Sequence, residues 1–407
     1  MRYSQLLIPT DLRALTNHIP QRRSHMCARK IYVGLIFCFC LKVSFAAVTV
    51  GKCKPDKHPY NTISDAIAAS HSGGEVDVCP GTYAEQLQID KPLTIEGVNG
   101  TPTIVSPSEG LNELPAGSGF YPQVLVNSAG GEVRLVNLAI DGTDAQFNVG
   151  GVVLGLDAYC PEGAVQNFVG VYFVNTPGRL EKVNVSGQFG ESFPGGFSEP
   201  QLIPNCGSGI EFHGSKHAVV RDTAVSGVGQ YAILSDGELM AEHNVVSGGD
   251  GPFGVGIGAV TGDITKNTVT GTLNFEKTVG IQGGRRVSDN TVQTSIYGIT
   301  GADTAMHNKL QNNAISLSDI SNVQNNGVSA PSTYFDPKCF YGACNGTDTG
   351  PAFATVGVDL GCDKSGQLNQ NSLQGVGIGF ANVPKGEKIP KTNTLKNVQT
   401  ASTNCSQ

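Results

Sequence analysis

The chain has 407 residues, of which 39% are hydrophobic and only 15% are charged, and its net charge is −7. An acidic surface repels nucleic acids and other extended polyanions, so nucleic-acid binding is not expected. The 53 glycines follow no collagen-like period and predict many tight turns, while the absence of tryptophan disfavours a dedicated sugar-stacking module.

The first 46 residues are predicted to be a signal peptide with an upstream segment. Arg29 and Lys30 precede the apolar run Ile31–Leu41, and the small-residue pattern Ser44–Ala46 is typical of a cleavage site. The run is too short to span a bilayer, so a membrane anchor is the less favoured alternative. Removal of this segment takes away seven basic residues and one acidic residue, which changes the net charge from −7 to −13. We expect a secreted, periplasmic or extracellular protein, free of the membrane after cleavage, whose residues 47–407 form a single domain.

Cysteine usage agrees with export. Eight cysteines follow the signal segment: Cys53, Cys79, Cys160, Cys206, Cys339, Cys344, Cys362 and Cys405. An even number in an exported chain indicates disulfides, and we predict that Cys53 pairs with Cys79, that Cys160 pairs with Cys206, and that the last four join the C-terminal region. No cysteine or histidine pair has zinc-ligand spacing. Three sequons are compatible with glycosylation: Asn99, Asn184 and Asn345.

An internal repeat organises the chain between residues 205 and 312. Five segments superpose on their last apolar residue with spacings of 21, 23, 23 and 18 residues: Val225, Val246, Val269, Val292 and Leu310. This spacing matches one coil of a β-helix, whereas helical solenoids repeat at about 33 residues or more. Alternation with period two and many Val, Ile and Thr residues predict short strands. The predicted fold is an all-β, right-handed parallel β-helix.

Three columns of residues are expected to stack along the axis. A second strand in each coil carries an interior isoleucine: Ile210, Ile233, Ile257, Ile281 and Ile299. One polar column predicts a hydrogen-bonded asparagine ladder: Thr223, Asn244, Asn267, Asn290 and Asn308. The column before it predicts a solvated surface: Asp222, His243, Lys266, Asp289 and His307.

Loop excursions and one short helix interrupt the strands. The excursions at about 143–168, 188–207 and 329–355 project from the scaffold, where binding and catalytic residues are often found. The segment Asn61–Ala69 predicts an amphipathic helix that closes the N-terminal end of the solenoid.

Residues near the N-terminus resemble a known family. The runs Thr62–Ile67, Gly81–Glu85 and Leu93–Gly97 are similar to the cap and first coil of the pectin-lyase-like superfamily, which includes pectin methylesterases and periplasmic carbohydrate-binding β-helix proteins. The resemblance covers nearly all of residues 47–407 and implies the parallel β-helix fold, with Glu85 serving the cap. The chain lacks the Gln-Asp-Thr segment of the methylesterases, the Asn-Thr-Asp and Gly-His-Gly segments of polygalacturonases, and the Asp-Pro-His segment of alginate epimerases. The fold therefore implies no particular reaction.

A candidate site follows from strand geometry. Alternation along the strand points Glu211 and His213 outward, and stacking places Asp236 beside His213 and Tyr172 beside Glu211. Histidine with an adjacent carboxylate is a candidate general base, and Glu211 or Tyr172 a candidate acid. An ordinary polar surface is the alternative.

Arg285 and Arg286, on a neighbouring coil, are candidates for binding an anionic substrate group, with surface solvation as the alternative. Three functions remain open. The first is a polysaccharide lyase, hydrolase or epimerase that uses a groove on the outer sheet. The second is a non-catalytic carbohydrate-binding or surface-interaction protein, and the third is a scaffold for small-molecule cyclisation or isomerisation. The expected partner of this monomer is a polysaccharide or other extracellular glycan. No cofactor is predicted, and calcium is left open.

Overall fold

The computed structural model describes residues 47–54, 59–155, 167–188, 207–247, 254–271, 279–335, 352–362 and 366–405. Several predictions of the sequence fall outside these ranges: the signal segment, four of the cysteines (Cys160, Cys206, Cys339 and Cys344) and the sequon at Asn345. Within the described ranges, no helix is long and apolar enough to cross a membrane.

The described strands stack in parallel along three faces, and each coil crosses the faces in the same order. Face I contains β4 Leu87–Ile89, β7 Phe120–Asn127, β12 Asn167–Val174, β15 Ser208–His213, the first halves of β18 Tyr231–Glu242 and β20 Val255–Thr265, then β22 Val279–Gly283, β25 Tyr297–Thr300, β28 Ile315–Ser318, β33 Val356–Asp359, β36 Ile378–Val383 and β38 Thr400–Asn404.

Face II continues each coil. It contains β1 Val48–Val50, β2 Gly74–Val78, β5 Leu93–Gly97, β8 Val133–Val136, β13 Gly178–Glu181, β16 Ala218–Arg221, the second halves of β18 and β20, then β23 Arg286–Ser288, β26 Thr304–Met306, β29 Asn322–Gln324 and β34 Gln367–Asn369.

Face III completes the coil with a 12-stranded sheet. Its strands are β3 Thr82–Ala84, β6 Thr103–Val105, β9 Ala139–Asp141, β14 Asn184–Ser186, β17 Ala224–Ser226, β19 Val245–Ser247, β21 Thr268–Thr270, β24 Thr291–Gln293, β27 Lys309–Gln311, β30 Gly327–Ser329, β35 Ser372–Gln374 and β37 Thr394–Lys396. Two antiparallel hairpins lie in excursions: β10 Gln146–Val149 with β11 Val152–Gly155, and β31 Thr333–Phe335 with β32 Ala352–Ala354.

The predicted registers are confirmed. The five interior isoleucines of face I are paired in sequence, and the column extends in both directions: Val124, Val171, Ile210, Ile233, Ile257, Ile281, Ile299, Leu317 and Val358. The five repeat anchors of face III are also direct partners. Because like residues stack on like, one apolar core runs through the described coils.

The asparagine ladder is confirmed and is longer than predicted. The backbone amide and the Nδ2 of Asn244 both donate to Oδ1 of Asn267, each at 2.9 Å. The same pair of bonds repeats through Asn290, Asn308, Asn326, Asn371 and Asn393. The preceding column is exposed as expected, and its residues turn the corner between faces II and III with φ of 51–59°.

The N-terminal cap is confirmed with a later start than predicted, because helix α1 spans Ile63–Ala69 and Thr62 caps it. Glu85 binds this helix from the first coil: its Oε1 accepts from the amide of Ile63 at 2.7 Å, and its Oε2 accepts from the amide of Ser64 at 2.9 Å. A carboxylate at a helix N-terminus satisfies amides that lack intrahelical partners. The structural role expected of Glu85 is therefore confirmed.

We expect the Glu85→Ala variant to lose about 1–3 kcal/mol of stability, since three charge-assisted hydrogen bonds disappear, from the amides of Ile63 and Ser64 and from the Ser64 hydroxyl. Chemical denaturation of the purified protein measures the loss. Glu75→Ala, which removes an exposed carboxylate from face II, is the matched control and should change stability by less than about 0.5 kcal/mol. Equal midpoints for the two variants would contradict the capping role.

Two disulfides lie within the described residues. The predicted Cys53–Cys79 bridge is confirmed, with a Cα–Cα distance of 5.5 Å, and it ties the cap to face II. Cys362 pairs with Cys405 across 43 residues at the C-terminal end. This second bridge joins two of the four cysteines that were expected to staple that region.

Candidate active site on face I

Part of the outer surface of face I is covered. Leu125, Val169 and Tyr172 are 4%, 0% and 6% exposed and form an apolar cluster separate from the interior core. Leu114, from the excursion before β7, and Phe120, the first residue of β7, pack on this cluster. The outward residues of coils β7 and β12 therefore line a sheltered site rather than a flat, solvated sheet.

Glu211 and His213 form a hydrogen-bonded pair beside this cluster. Glu211 is only 4% exposed, and its direct partner on the neighbouring strand is Tyr172. The Nε2 atom of His213 lies 2.8 Å from Oε2 of Glu211. An ionised carboxylate can only accept, so Nε2 carries the proton and the pair orients the imidazole ring.

Asp236 lies on the other side of the imidazole. Its Oδ2 is 3.7 Å from Nδ1 of His213, and both its oxygens accept from the amide of Gly214, at 2.9 and 3.0 Å. The side chains of His213 and Asp236 are 34% and 48% exposed, so the Nδ1 edge of the ring faces the solvent side of the site. The arrangement places one histidine between a buried carboxylate and an exposed one.

These neighbours raise the pKa of His213 above its ordinary value. The largest cause is the hydrogen bond to Glu211; burial opposes it, and the charges of Glu211 and Asp236 add to it. A raised pKa favours the protonated imidazolium, the form of His213 that can donate a proton.

Aromatic rings form one wall of the site. Phe120 stacks on Tyr172 with ring centroids 4.5 Å apart and an interplanar angle of 14°. Tyr172 meets the His213 ring edge-on at 5.3 Å. Burial, followed by the charges of Glu211 and Asp236, raises the pKa of Tyr172 to about 12. Its hydroxyl therefore keeps its proton at neutral pH, and it has no hydrogen-bond partner among the described residues.

Sequence reasoning missed two residues of the site, Phe120 and Tyr231. Burial and then the charge of Glu211 raise the pKa of Tyr231, which places this phenol in the field of the same carboxylate. Strict alternation from Ile233 points residue 231 inward, but Ala232 and Ile233 both lie in the interior core. That break in period leaves Tyr231 on the outer side. Phe120 follows an irregular excursion and carries no periodic signal.

The structure brings Tyr172, Glu211, His213 and Asp236 together but not the two arginines. Arg285 and Arg286 are associated with face II, where Nη2 of each binds one oxygen of Asp263, at 3.1 and 2.9 Å. Glu211 lies on face I. The arginines therefore form a surface ion pair away from the histidine, and their predicted substrate contact has no support from this geometry.

No protein-family model and no curated protein sequence matches the chain. Solved structures are similar to it at low identity. A pectin methylesterase from Aspergillus niger is 15% identical, with a TM-score of 0.39 over 69% of this chain and 85% of that chain. A lacto-N-biosidase from Eubacterium ramulus is 14% identical, with a TM-score of 0.43 over 86% and 64%. The A-module of a mannuronan C-5 epimerase from Azotobacter vinelandii is 14% identical, with a TM-score of 0.38 over 84% and 95%.

The fold follows from the chain's own strand registers, which repeat one three-faced parallel coil along the axis. This chain is a right-handed parallel β-helix. At these TM-scores the similar structures say nothing about its reaction, so the chemistry must be argued from the site. A protonated phenol, an oriented imidazole and two carboxylates suit proton transfer. Among the described residues, no group of three or more His, Cys, Asp or Glu is arranged to hold a metal ion.

Proposed function

We propose that this protein is an exported carbohydrate-active enzyme, a lyase, hydrolase or epimerase, whose site on face I works by general acid–base catalysis. The observation that carries the proposal is the buried Glu211 carboxylate bonded at 2.8 Å to a half-exposed His213. Burying the Glu211 carboxylate costs free energy unless it is paired, so the imidazole of His213 is held against it in one orientation.

Each group has a distinct part in this proposal. Glu211 holds the imidazole with Nε2 protonated, so Nδ1 is the atom that exchanges a proton with the substrate. Asp236 favours the imidazolium that forms when Nδ1 accepts that proton. The Tyr172 hydroxyl, protonated at neutral pH, donates a hydrogen bond or a proton to a substrate oxygen. Phe120, which is only partly buried, offers an apolar surface against which a sugar ring can pack.

Export and a glycan partner complete the proposal. The Cys53–Cys79 and Cys362–Cys405 bridges suit an oxidising compartment. A stack of coils gives an elongated surface, which fits an elongated polymer, and we propose that the protein binds it as a monomer.

An activity screen with paired histidine variants tests the proposal. Purified protein is assayed on neutral and acidic polysaccharides, with and without calcium, beside His213→Gln and His217→Gln. His217 is the matched control because its Nδ1 binds Glu238 at 3.0 Å on the same two coils, but with the two side chains 74% and 44% exposed. We expect His213→Gln to lose about 10²–10⁴-fold in turnover and His217→Gln to keep it.

Two results would contradict this function. If wild-type protein binds a glycan but turns over no polysaccharide, the non-catalytic binding role is the correct one. The partly exposed side chains of Phe120, His213 and Asp236 suit that second role as well. If both histidine variants keep full turnover, the reaction does not use the site on face I.

A further inference from the structure

The charges around the candidate site are one-sided. With His213 protonated, the cluster of Glu211, His213 and Asp236 still carries a net charge of −1. The charges that act on His213, Tyr172 and Tyr231 come from Glu211 and Asp236, and neither lysine nor arginine contributes to any of the three. Within the described part of the chain, the site therefore presents negative charge to a ligand.

The sequence stretches that contain the site strands are also poor in lysine and arginine. Residues 92–178 contain a single lysine or arginine, Arg134, and residues 183–215 contain no lysine or arginine. Both stretches contain several acidic residues. Arg134 lies on face II and binds Glu181 at 3.5 Å, so it is already paired. The stretches at about 143–168 and 188–207 contain no lysine or arginine.

The cationic side chains that follow the site strands lie in the turn after β15 and on face II. Lys216 and His217 follow the site strand in the turn between β15 and β16, where Lys216 is exposed and His217 binds Glu238 at 3.0 Å. Arg285 and Arg286 share the carboxylate of Asp263 on face II. His217, Arg285 and Arg286 are paired with carboxylates, and none of these residues is among the groups that shift the pKa of Tyr172 or His213.

The negative charge of the site would repel an anionic sugar. Two like charges a few ångströms apart in a partly desolvated site repel appreciably, and the overall acidity of the chain also slows the approach of polyanions. A uronate held against Phe120 and Tyr172 would bring its carboxylate toward Glu211 and Asp236. A sugar with only hydroxyl, amide or amine groups pays no such cost, and the buried Tyr172 hydroxyl and the carboxylates can bind it.

We infer that the site takes a glycan whose reacting sugar carries no carboxylate or sulfate, a neutral hexose or an amino sugar rather than a uronic acid. This inference rests on the proposed function and specifies its substrate class. It removes the polyuronates from the candidate substrates, and it leaves hydrolysis of a neutral or amino-sugar glycan as the favoured reaction.

A binding experiment tests the substrate class apart from turnover. The full-length His213→Gln variant keeps Glu211, Asp236 and the aromatic wall, so a bound oligosaccharide is not converted. Calorimetry compares three hexasaccharides of equal length: a neutral hexose oligomer, a deacetylated chitosan oligomer and hexagalacturonate, the last with and without calcium. We expect the neutral or the amino oligomer to bind at least about tenfold more tightly than hexagalacturonate.

Charge variants at one position sharpen the test. Asp236→Asn and Asp236→Lys are made in the same His213→Gln background. We expect Asp236→Asn to reduce the difference in affinity that disfavours hexagalacturonate, and Asp236→Lys to reverse it. If the His213→Gln variant that retains Asp236 binds hexagalacturonate more tightly than the other two oligomers, with or without calcium, the inferred substrate class is wrong. The proposed enzyme function would still stand. Failure of all three oligomers to bind would overturn both.

Discussion

Glu211→Gln is expected to lower turnover by about 10²–10⁴-fold and to move the pH profile. Glutamine keeps the size of the side chain and an oxygen that can accept from Nε2 of His213, so the ring stays in place. The negative charge is lost, so the hydrogen bond from His213 is no longer charge-assisted and the attraction of Glu211 for the imidazolium disappears, while burial still lowers the pKa of His213. The pKa of His213 must therefore fall, and the limb of the pH–rate profile that reports this group must shift to lower pH.

Two measurements check this result: the pH dependence of kcat/KM, and the titration of the His213 ring protons by NMR. Glu238→Gln is the matched control, because it removes the carboxylate from the exposed His217 pair. We expect it to leave both the turnover and the titration of His213 unchanged. A Glu211→Gln protein whose profile keeps the wild-type limb would show that the carboxylate does not tune the reacting group.

Asn267→Ala is expected to destabilise the protein by about 2–5 kcal/mol, the larger of the two stability effects predicted here. Oδ1 of Asn267 accepts from both the backbone amide and the Nδ2 of Asn244, and its Nδ2 donates to the carbonyl of Ala241 at 3.0 Å. Alanine leaves these buried groups without partners, in a place where water cannot replace them.

The adjacent Lys266 supplies the control. It lies one residue earlier in the same turn, but it is exposed and its ion pair with Glu242 spans 3.2 Å at the surface. Lys266→Ala should cost less than about 1 kcal/mol. Chemical denaturation of both variants measures the difference, and similar midpoints would show that the asparagine ladder adds little to the stability of the coils.

The amino-acid sequence determined the fold and much of the site. Repetition at 18–23 residues, with an isoleucine and an asparagine at equal places in each coil, is sufficient to predict parallel stacking. In a stacked coil every residue has a known neighbour one repeat away, so the pairing of Tyr172 with Glu211 followed from counting alone. The Cys53–Cys79 bridge was predicted from the even number of cysteines in an exported chain, and the cap role of Glu85 from the family resemblance.

Only the tertiary structure decided what surrounds those residues. The pattern could not predict that Glu211 is only 4% exposed, because the burial of an outward residue depends on its surroundings and not on its place in the repeat. It did not identify Tyr231 as a residue of the site, because two successive interior residues break the alternation at this point of the strand. It could not assign Arg285 and Arg286 to face II, because that depends on where each strand bends at the corner. The period of the repeat predicts which like residues stack. Corners and excursions have no period, and the residues there decide the chemistry of the site.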